Sequence, residues 1–402
     1  MTLPQTERLH RRDSFLTTFD AIVLAHTEVA GRPALVLDRT AFYATAGGQP
    51  NDFGALDGPP GRLDVVDVVD QGGVIAHVFG GGHAPDVGAT VTGTLDFVRR
   101  FDHMCQHSGQ HLLSQALQRV ARAETLSVHF GPDTSTIDVD SEALDAGRLT
   151  AAEDEVNRVI AEDLRVHLHE VDEAGVAAFG LRKPPKVQGK VRIVEFEGYD
   201  FSACGGTHVR SAGQIGQVKL LKVEKRRGGS RLTFVCGGRA LRRFRLLNDQ
   251  ALTMGALFSV APEDVPLAVQ RLMDESRETR ARLAVAQERL AVFEAESFIQ
   301  AGERRGDDVI VRVAFADRDA EGLRGLARQL TARPHTVALL ACGGERSFLC
   351  FSRAPDAGGD MAALLRAALG ALGARGGGSA TFAQGGGPAA SADQLRAILA
   401  GL

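Results

Sequence analysis

The sequence predicts an α+β protein in four parts: a small amino-terminal β-barrel, an α+β domain, a long linker helix and a carboxy-terminal α/β domain. Three observations lead there. Residues 14–98 are a string of short β-branched runs punctuated by Gly, Pro, Asn and Asp. From residue 99 helical and strand patterns alternate, and again from 303. Between them, 262–302 shifts to Ala, Glu, Arg and Gln, with no Gly or Pro from Leu267 to Ala301. At 402 residues the chain is long enough for two or three domains of about 150 residues each, and 44% hydrophobic with 24% charged residues excludes wholesale disorder.

The elements follow in order. Runs at 21–26, 33–38, 63–69, 74–79 and 89–96 read as barrel strands, so 1–98 is the barrel domain. Helical spacing takes over from Asp102, placing His107, His111, Leu112, Gln115 and Leu117 on a helix entering a core. A strand pair at 126–130 and 136–140 is joined by Gly131-Pro132-Asp133. Thr150 with Glu153 reads as a capping-box start for a helix to about Leu164. Strands at 166–171 and 190–197 flank a helical stretch and the Pro184-Pro185 stop, and this module spans 99–250.

In 262–302, apolar or small residues recur at Val265, Val269, Leu272, Ser276, Thr279, Leu283, Ala286, Leu290, Phe293 and Ser297, a heptad spacing. The stretch predicts a long helix packed on a partner helix, which a homodimer would supply; a core helix within one domain is the alternative. The last part, 303–402, reads strand (309–315), helix (319–332), two strands (337–342, 348–352), helix (361–372), a glycine-rich loop around 376–387, and a final helix from Ser391. It holds neither a G-x-x-x-x-G-K-[ST] loop nor a G-x-G-x-x-G after its first strand, so no nucleotide cofactor is expected.

No apolar run approaches about 18 residues, and the polar amino terminus lacks a signal peptide's apolar centre, so no membrane association is expected. Five scattered cysteines argue against a disulfide framework and for a reducing, cytoplasmic setting. The net charge of −4 hides an asymmetry. Between Lys219 and Arg245 ten cations meet one acid, Glu224, giving +9 there and −13 elsewhere. Such a segment suggests a polyanion-binding face; a solvated strand and helix paired with acids elsewhere is the alternative.

Two short motifs carry chemistry. His107-Ser-Gly-Gln-His111 puts two imidazoles four residues apart on one helix face. Cys204-Gly-Gly-Thr-His208 places a thiol and an imidazole on a glycine turn after a strand. Together they offer three nitrogens and one sulfur, a tetrahedral set suited to Zn2+, against the alternative of a buried cysteine beside a hydrogen-bonded histidine. Ser108 stands where zinc proteases carry a glutamate base, which disfavours peptide hydrolysis and leaves an activated ester as the easier target. Cys105, His103, His167 and His169 read as local structure.

The pairing of HSGQHLLSQAL with FSACGGTHVRSAGQIGQVKLLKVEKRRGGSRLTFVCGGRAL resembles the editing module of alanyl-tRNA synthetases, and still more their free-standing relatives, the long AlaX-type alanyl-tRNA editing proteins. RTAFYATAGGQPNDFG resembles that family's glycine-rich motif in its amino-terminal barrel, with Ala44 where the family usually has proline. GARGGGSATFAQGGGP resembles the DHH-associated domain that ends its long members.

The resemblance implies His107, His111, Cys204 and His208 as zinc ligands. It implies Ser127, on the strand after the helix, as a reader of the amino-acid moiety, unless it is an ordinary strand serine. Gln49 is a candidate water-positioning amide at the substrate, although a hairpin turn explains Gly47-Gly48 equally well. Lys219, Lys222, Lys225, Arg226, Arg227 and Arg231 would contact tRNA phosphates. No aminoacylation domain is expected, since the barrel pattern begins almost at residue 1. The implied function is trans-editing: hydrolysis of alanine tRNA mischarged with serine or glycine. Competing readings are a non-catalytic zinc-containing tRNA-binding protein and a deacylase for another mischarged tRNA.

Overall fold

The computed structural model describes residues 4–185 and 189–402; the first three residues of the amino-terminal segment lie outside them. The chain divides into two compact units, Met1–Ala251 and Leu252–Leu402.

In the first unit six antiparallel strands close a barrel: β1 (Thr18–Val29), β2 (Arg32–Leu37), β3 (Gly54–Gly58), β4 (Gly61–Gln71), β5 (Val74–Phe79) and β6 (Thr90–Leu95), in the order β1-β2-β5-β4-β3-β6. Alternating side chains, among them Phe19, Val23, Leu35, Leu56, Leu63, Val65 and Val91, fill its interior. The five expected strands are present. The sixth, β3, was unforeseen because GALDG carries two glycines and little β propensity. It pairs tightly enough that a Cβ on Gly54 would lie 2.1 Å from Thr94 O.

Helix α1 (Phe97–Ala121) starts where the Asp96 side chain accepts from the Arg99 N–H, and ends at Arg122 in a left-handed conformation. Every residue from His103 to Ser114 is buried, so α1 is enclosed on all sides. Its polar groups are met internally: the Gln106 amide donates to Cys236 O at 3.0 Å, and Gln110 donates to Ser114 Oγ at 2.6 Å. Strands β7 (Thr125–Phe130) and β8 (Ser135–Val139) form the expected pair, and α2 covers Ala146–Ala161. That helix begins a turn before Thr150, because Asp145 accepts from the Arg148 N–H at 2.8 Å and Leu149 packs on the core. Strands β9 (Val166–Val171), β10 (Val191–Phe196) and β11 (Asp200–Ala203) form one sheet, and β12 (Val218–Arg226) with β13 (Gly229–Cys236) join another in the order β12-β13-β8-β7. A helix α3 (Gly238–Phe258) follows β13.

In the second unit, α4 runs Val265–Gln300, about 54 Å at 1.5 Å per residue. Val265, at the start of its heptad stripe, is buried, but every residue from 269 to 290 is exposed and Phe293 is 73% exposed, so that length of the stripe has no partner among the described residues of the unit. Instead Ala291 and Ala295, offset from the stripe, are buried against Leu323, Leu326 and Leu330. Those leucines lie on α5 (Ala320–Thr331), between parallel strands β15 (Asp308–Phe315) and β16 (Thr336–Cys342). Counting the edge strand β14 (Glu303–Arg305), with β17 (Ser347–Arg353), β18 (Arg375–Gly378) and β19 (Phe382–Gly387), the sheet order is β14-β15-β16-β17-β19-β18. Helices α6 (Met361–Leu372) and α7 (Ala392–Ala400), the latter capped by a Ser391–Gln394 box, complete the unit. The glycine-rich segment is therefore a hairpin, not a loop. Leu369 of α6 lies so close that a Cβ on Gly376 or Gly385 would come within 2.7 or 2.5 Å of its Cδ1.

Candidate metal centre

Helix α1 and the turn after β11 bring His107, His111, Cys204 and His208 together, one ligand atom of each lying within 4.8 Å of all the others. Cys204 Sγ is 3.3 Å from both His107 Nε2 and His208 Nε2. The three histidines are buried and Cys204 is partly exposed. The His107 and His208 rings lie tilted to each other with centroids 4.5 Å apart, and the Phe130 ring is likewise tilted against His107 at 5.3 Å.

Each ring is held from behind by its other nitrogen. His107 Nδ1 donates to Gln49 Oε1 at 2.7 Å, His111 Nδ1 lies 3.1 Å from Asp200 Oδ2, and His208 Nδ1 lies 3.2 Å from Ser108 Oγ. Orientation of this kind fixes the tautomer and aims Nε2 inward. Asp200 is in turn held by Arg182 Nε at 3.1 Å and by the Ser202 hydroxyl at 2.9 Å. Burial alone would raise the Cys204 thiol, yet the His107 and His208 rings hold it well below the usual thiol range. Burial would lower His111, but Asp200 and Cys204 raise it to about 9; burial drives His208 down to about 3. The donor set is thus one thiolate and three rings facing one another, and it fits a borderline-soft tetrahedral cation.

The barrel supplies part of this shell. Gly47 and Gly48 have φ of 57° and 85°, and the turn they make, closed by Ala46–Gln49 hydrogen bonds, presents Gln49 to α1. A Cβ on Gly48 would lie 2.6 Å from Val128 O. Buried Arg100 of α1 donates to both carboxylate oxygens of Asp52 and to Ala41 O and Ser14 O, locking the motif to the helix. Ser14 Oγ also accepts from the His208 N–H at 3.3 Å.

The other expected residues fall elsewhere. Gln49 is buried, and its amide is engaged by His107 and by Thr207 Oγ1 at 2.8 Å. Ser127 is exposed and donates to Asp138 Oδ2 at 2.8 Å, with Phe130 of the same strand facing the rings. Three of the six expected phosphate contacts are in ion pairs: Lys219–Glu153 at 2.6 Å, Lys222–Glu224 at 3.0 Å and Arg231–Asp138 at 2.6 Å. Lys225, Arg226 and Arg227 are exposed at the β12–β13 tip, in no ion pair among the described residues. Cys105, His103, His167 and His169 lie outside the cluster. The sequence reading gives no supporting role to Asp200, Ser108, Thr207, Arg182 or Ser14, although Ser108 and Thr207 lie inside the two ligand motifs and so carry a positional signal.

Residues 191–232 match the family described as threonyl and alanyl tRNA synthetase second additional domain, and 16–99 match class II (A) tRNA synthetases. More particularly, the chain is related over nearly its whole length to the AlaX-type alanyl-tRNA editing proteins and to alanyl-tRNA synthetases. It is 28% identical to the alanyl-tRNA editing protein AlaX-L of Pyrococcus horikoshii, covering 94% of each chain. It is 34% identical to the alanine--tRNA ligase of Pyrobaculum neutrophilum over 95% of this chain and 43% of that one. With the alanine--tRNA ligase of Pyrococcus furiosus the identity is 32%, over 92% and 41%. The chain therefore spans less than half the length of these ligases. Among the described residues no single helix is long and apolar enough to cross a membrane.

Proposed function

We propose that this chain is a cytoplasmic trans-editing hydrolase that deacylates alanine tRNA mischarged with serine or glycine, at a Zn2+ site held by His107, His111, Cys204 and His208. The observation that carries the reading is the convergence of one cysteine sulfur with three imidazoles whose outer ring nitrogens are already engaged. A pocket shaped for alanine discriminates only roughly 10²-fold against such near neighbours, so a second hydrolytic site is needed.

Bound there, Zn2+ would supply a positive charge to fix and polarise the aminoacyl end. His107, His111 and His208 keep their Nε2 atoms inward because Gln49, Asp200 and Ser108 occupy the opposite nitrogens. In this reading Gln49 serves substrate through His107, and Ser127, with Asp138, faces the tRNA side of β7. Lys225, Arg226 and Arg227 would meet tRNA phosphates first, with Lys219, Lys222 and Arg231 contributing when their acid partners yield. The exposed stripe of α4 and the glycine-rich domain are where a second copy or more of the tRNA would bind.

The test is metal analysis of the purified chain followed by deacylation of Ser-tRNA(Ala), Gly-tRNA(Ala) and tRNAs of other specificities mischarged in parallel. Wild type should bind about one zinc per chain and hydrolyse the first two, and His111→Ala should lose both metal and turnover. A zinc-loaded wild type that binds tRNA without turnover makes it a binding protein. Preference for another mischarged tRNA favours the second reading, which the threonyl half of the matched family's description supports.

A further inference from the structure

We propose that Arg192 is a positioning residue of the metal centre: its guanidinium sets the turn that delivers Cys204 and, through Gln49, the orientation of His107. The inference rests on the zinc-site reading above.

Arg192 sits on β10 with its side chain largely enclosed. Its Nη1 donates to Cys204 O at 2.8 Å and to Gly206 O at 3.0 Å, and its Nε to Arg11 O at 3.0 Å. Its own carbonyl accepts from the Cys204 N–H at 3.0 Å. One residue thus holds Cys204 at both its N–H and its C=O. Drawing two carbonyls to one nitrogen also turns the peptides between them. In a trans peptide the N–H points opposite to the C=O, so holding Gly206 O on the guanidinium aims the Thr207 N–H the other way. That N–H donates to Gln49 Oε1 at 3.3 Å, the oxygen that accepts from His107 Nδ1. Within the same turn the Gly206 N–H lies 3.4 Å from Cys204 Sγ. Two of the four ligands are therefore set by one fork of donors, from outside the cluster. The remaining nitrogen, Nη2, is buried and finds no partner among the described residues, a desolvation cost borne to keep the fork in place. A lysine ammonium has the charge but not the geometry to reach Arg11 O and both turn carbonyls at once.

The test compares wild type, Arg192→Ala and Arg192→Lys in the full chain. Zn2+ affinity is read by competition with a chromophoric chelator, the thiolate-to-metal and ligand-field bands of the Co2+-loaded protein by absorption, and melting with and without metal. Arg192→Ala should weaken Zn2+ binding roughly 10- to 100-fold and shift the cobalt bands, with Arg192→Lys in between. The metal-free melting point should move much less than the metal-loaded one. Unchanged affinity and bands in Arg192→Ala overturn the proposal, as does equal loss of melting point with and without metal. If Arg192→Ala does not fold, wild-type affinity and bands in Arg192→Lys overturn it. A wild type that takes up neither metal brings down the zinc reading and this inference together, whereas a metal-binding wild type matched by its variants brings down only this one.

Discussion

Gly206 shows how closely the cluster is built. A methyl group there would lie 2.1 Å from His107 Cε1 and 2.4 Å from its Nδ1, whereas one on Gly205 would meet nothing within 4 Å. Neither glycine needs a positive φ, so the requirement at 206 is space alone. Gly206→Ala should abolish tight zinc binding by displacing the His107 ring, and Gly205→Ala should leave it within a fewfold of wild type; chelator competition on the two variants checks this. Here the sequence was legible to a point. The i, i+4 histidines and the Cys-Gly-Gly-Thr-His turn announce their own geometry, because both are local. Asp200, Arg182 and Ser14 were invisible, because strand pairing and packing, not spacing, bring them behind the rings. His77 makes a prediction of the same scale. It is buried in the barrel with Nε2 2.8 Å from Thr40 Oγ1 and Nδ1 3.1 Å from Leu35 O, and burial lowers its pKa to about 4. The unfolded chain takes up this proton near pH 6.5, so the folded state keeps the full contribution above that pH and loses it as pH falls toward about 4, a change of about 3 kcal/mol. Urea unfolding from pH 7 to 4 should show the decline, and His77→Gln should reduce it, the buried His10, His103 and His208 supplying the remainder.

The β12–β13 hairpin poses the question of which cations are available. Lys219 and Arg231 are committed to Glu153 and Asp138, while Lys225, Arg226 and Arg227 crowd an exposed tip in no ion pair among the described residues, the nearby Glu142 carboxylate accepting from the Gly228 N–H. Like charges gathered without partners cost the free protein and are relieved by a polyanion. Replacing all three with Ala should lower the slope of log affinity for tRNA against log salt by roughly two to three, and Lys219→Ala by less than one, because its ammonium must first leave Glu153. Fluorescence titrations at several salt concentrations measure both. Elements were readable from sequence wherever a run was long and β-branched or strongly capped, as with Ser391 or the strands at 74–79 and 337–342. They were misread where glycine does a strand's work. Glycine carries no β propensity, so β3 and the 375–387 hairpin are specified by what must lie against them, Thr94 in one case and Leu369 in the other.

At the scale of the whole molecule, the barrel and the α+β layer are one compact unit, although the sequence pattern suggests two domains. The reason lies in the site. Gln49 from the barrel loop, Ser14 from the segment before β1, and Asp52 bound to Arg100 are all outer parts of a centre whose ligands sit on α1 and the Cys204 turn. No division between 98 and 99 leaves that centre intact. By the same logic, among the described residues no member of the four-residue cluster and none of its partners lies beyond Ala251, so the proposed metal binding would belong to the first unit alone. A fragment ending at Val260, which keeps α3 whole, should fold with one cooperative transition, bind one Zn2+ per chain and match the full chain's affinity within about twofold. A fragment starting at residue 97 retains all four ligands but loses Gln49, Ser14 and Asp52, and should bind zinc at least roughly tenfold more weakly. Chelator competition and calorimetry on the two fragments decide the matter: equal affinity in the barrel-less fragment would show that the barrel only accompanies the centre instead of building it.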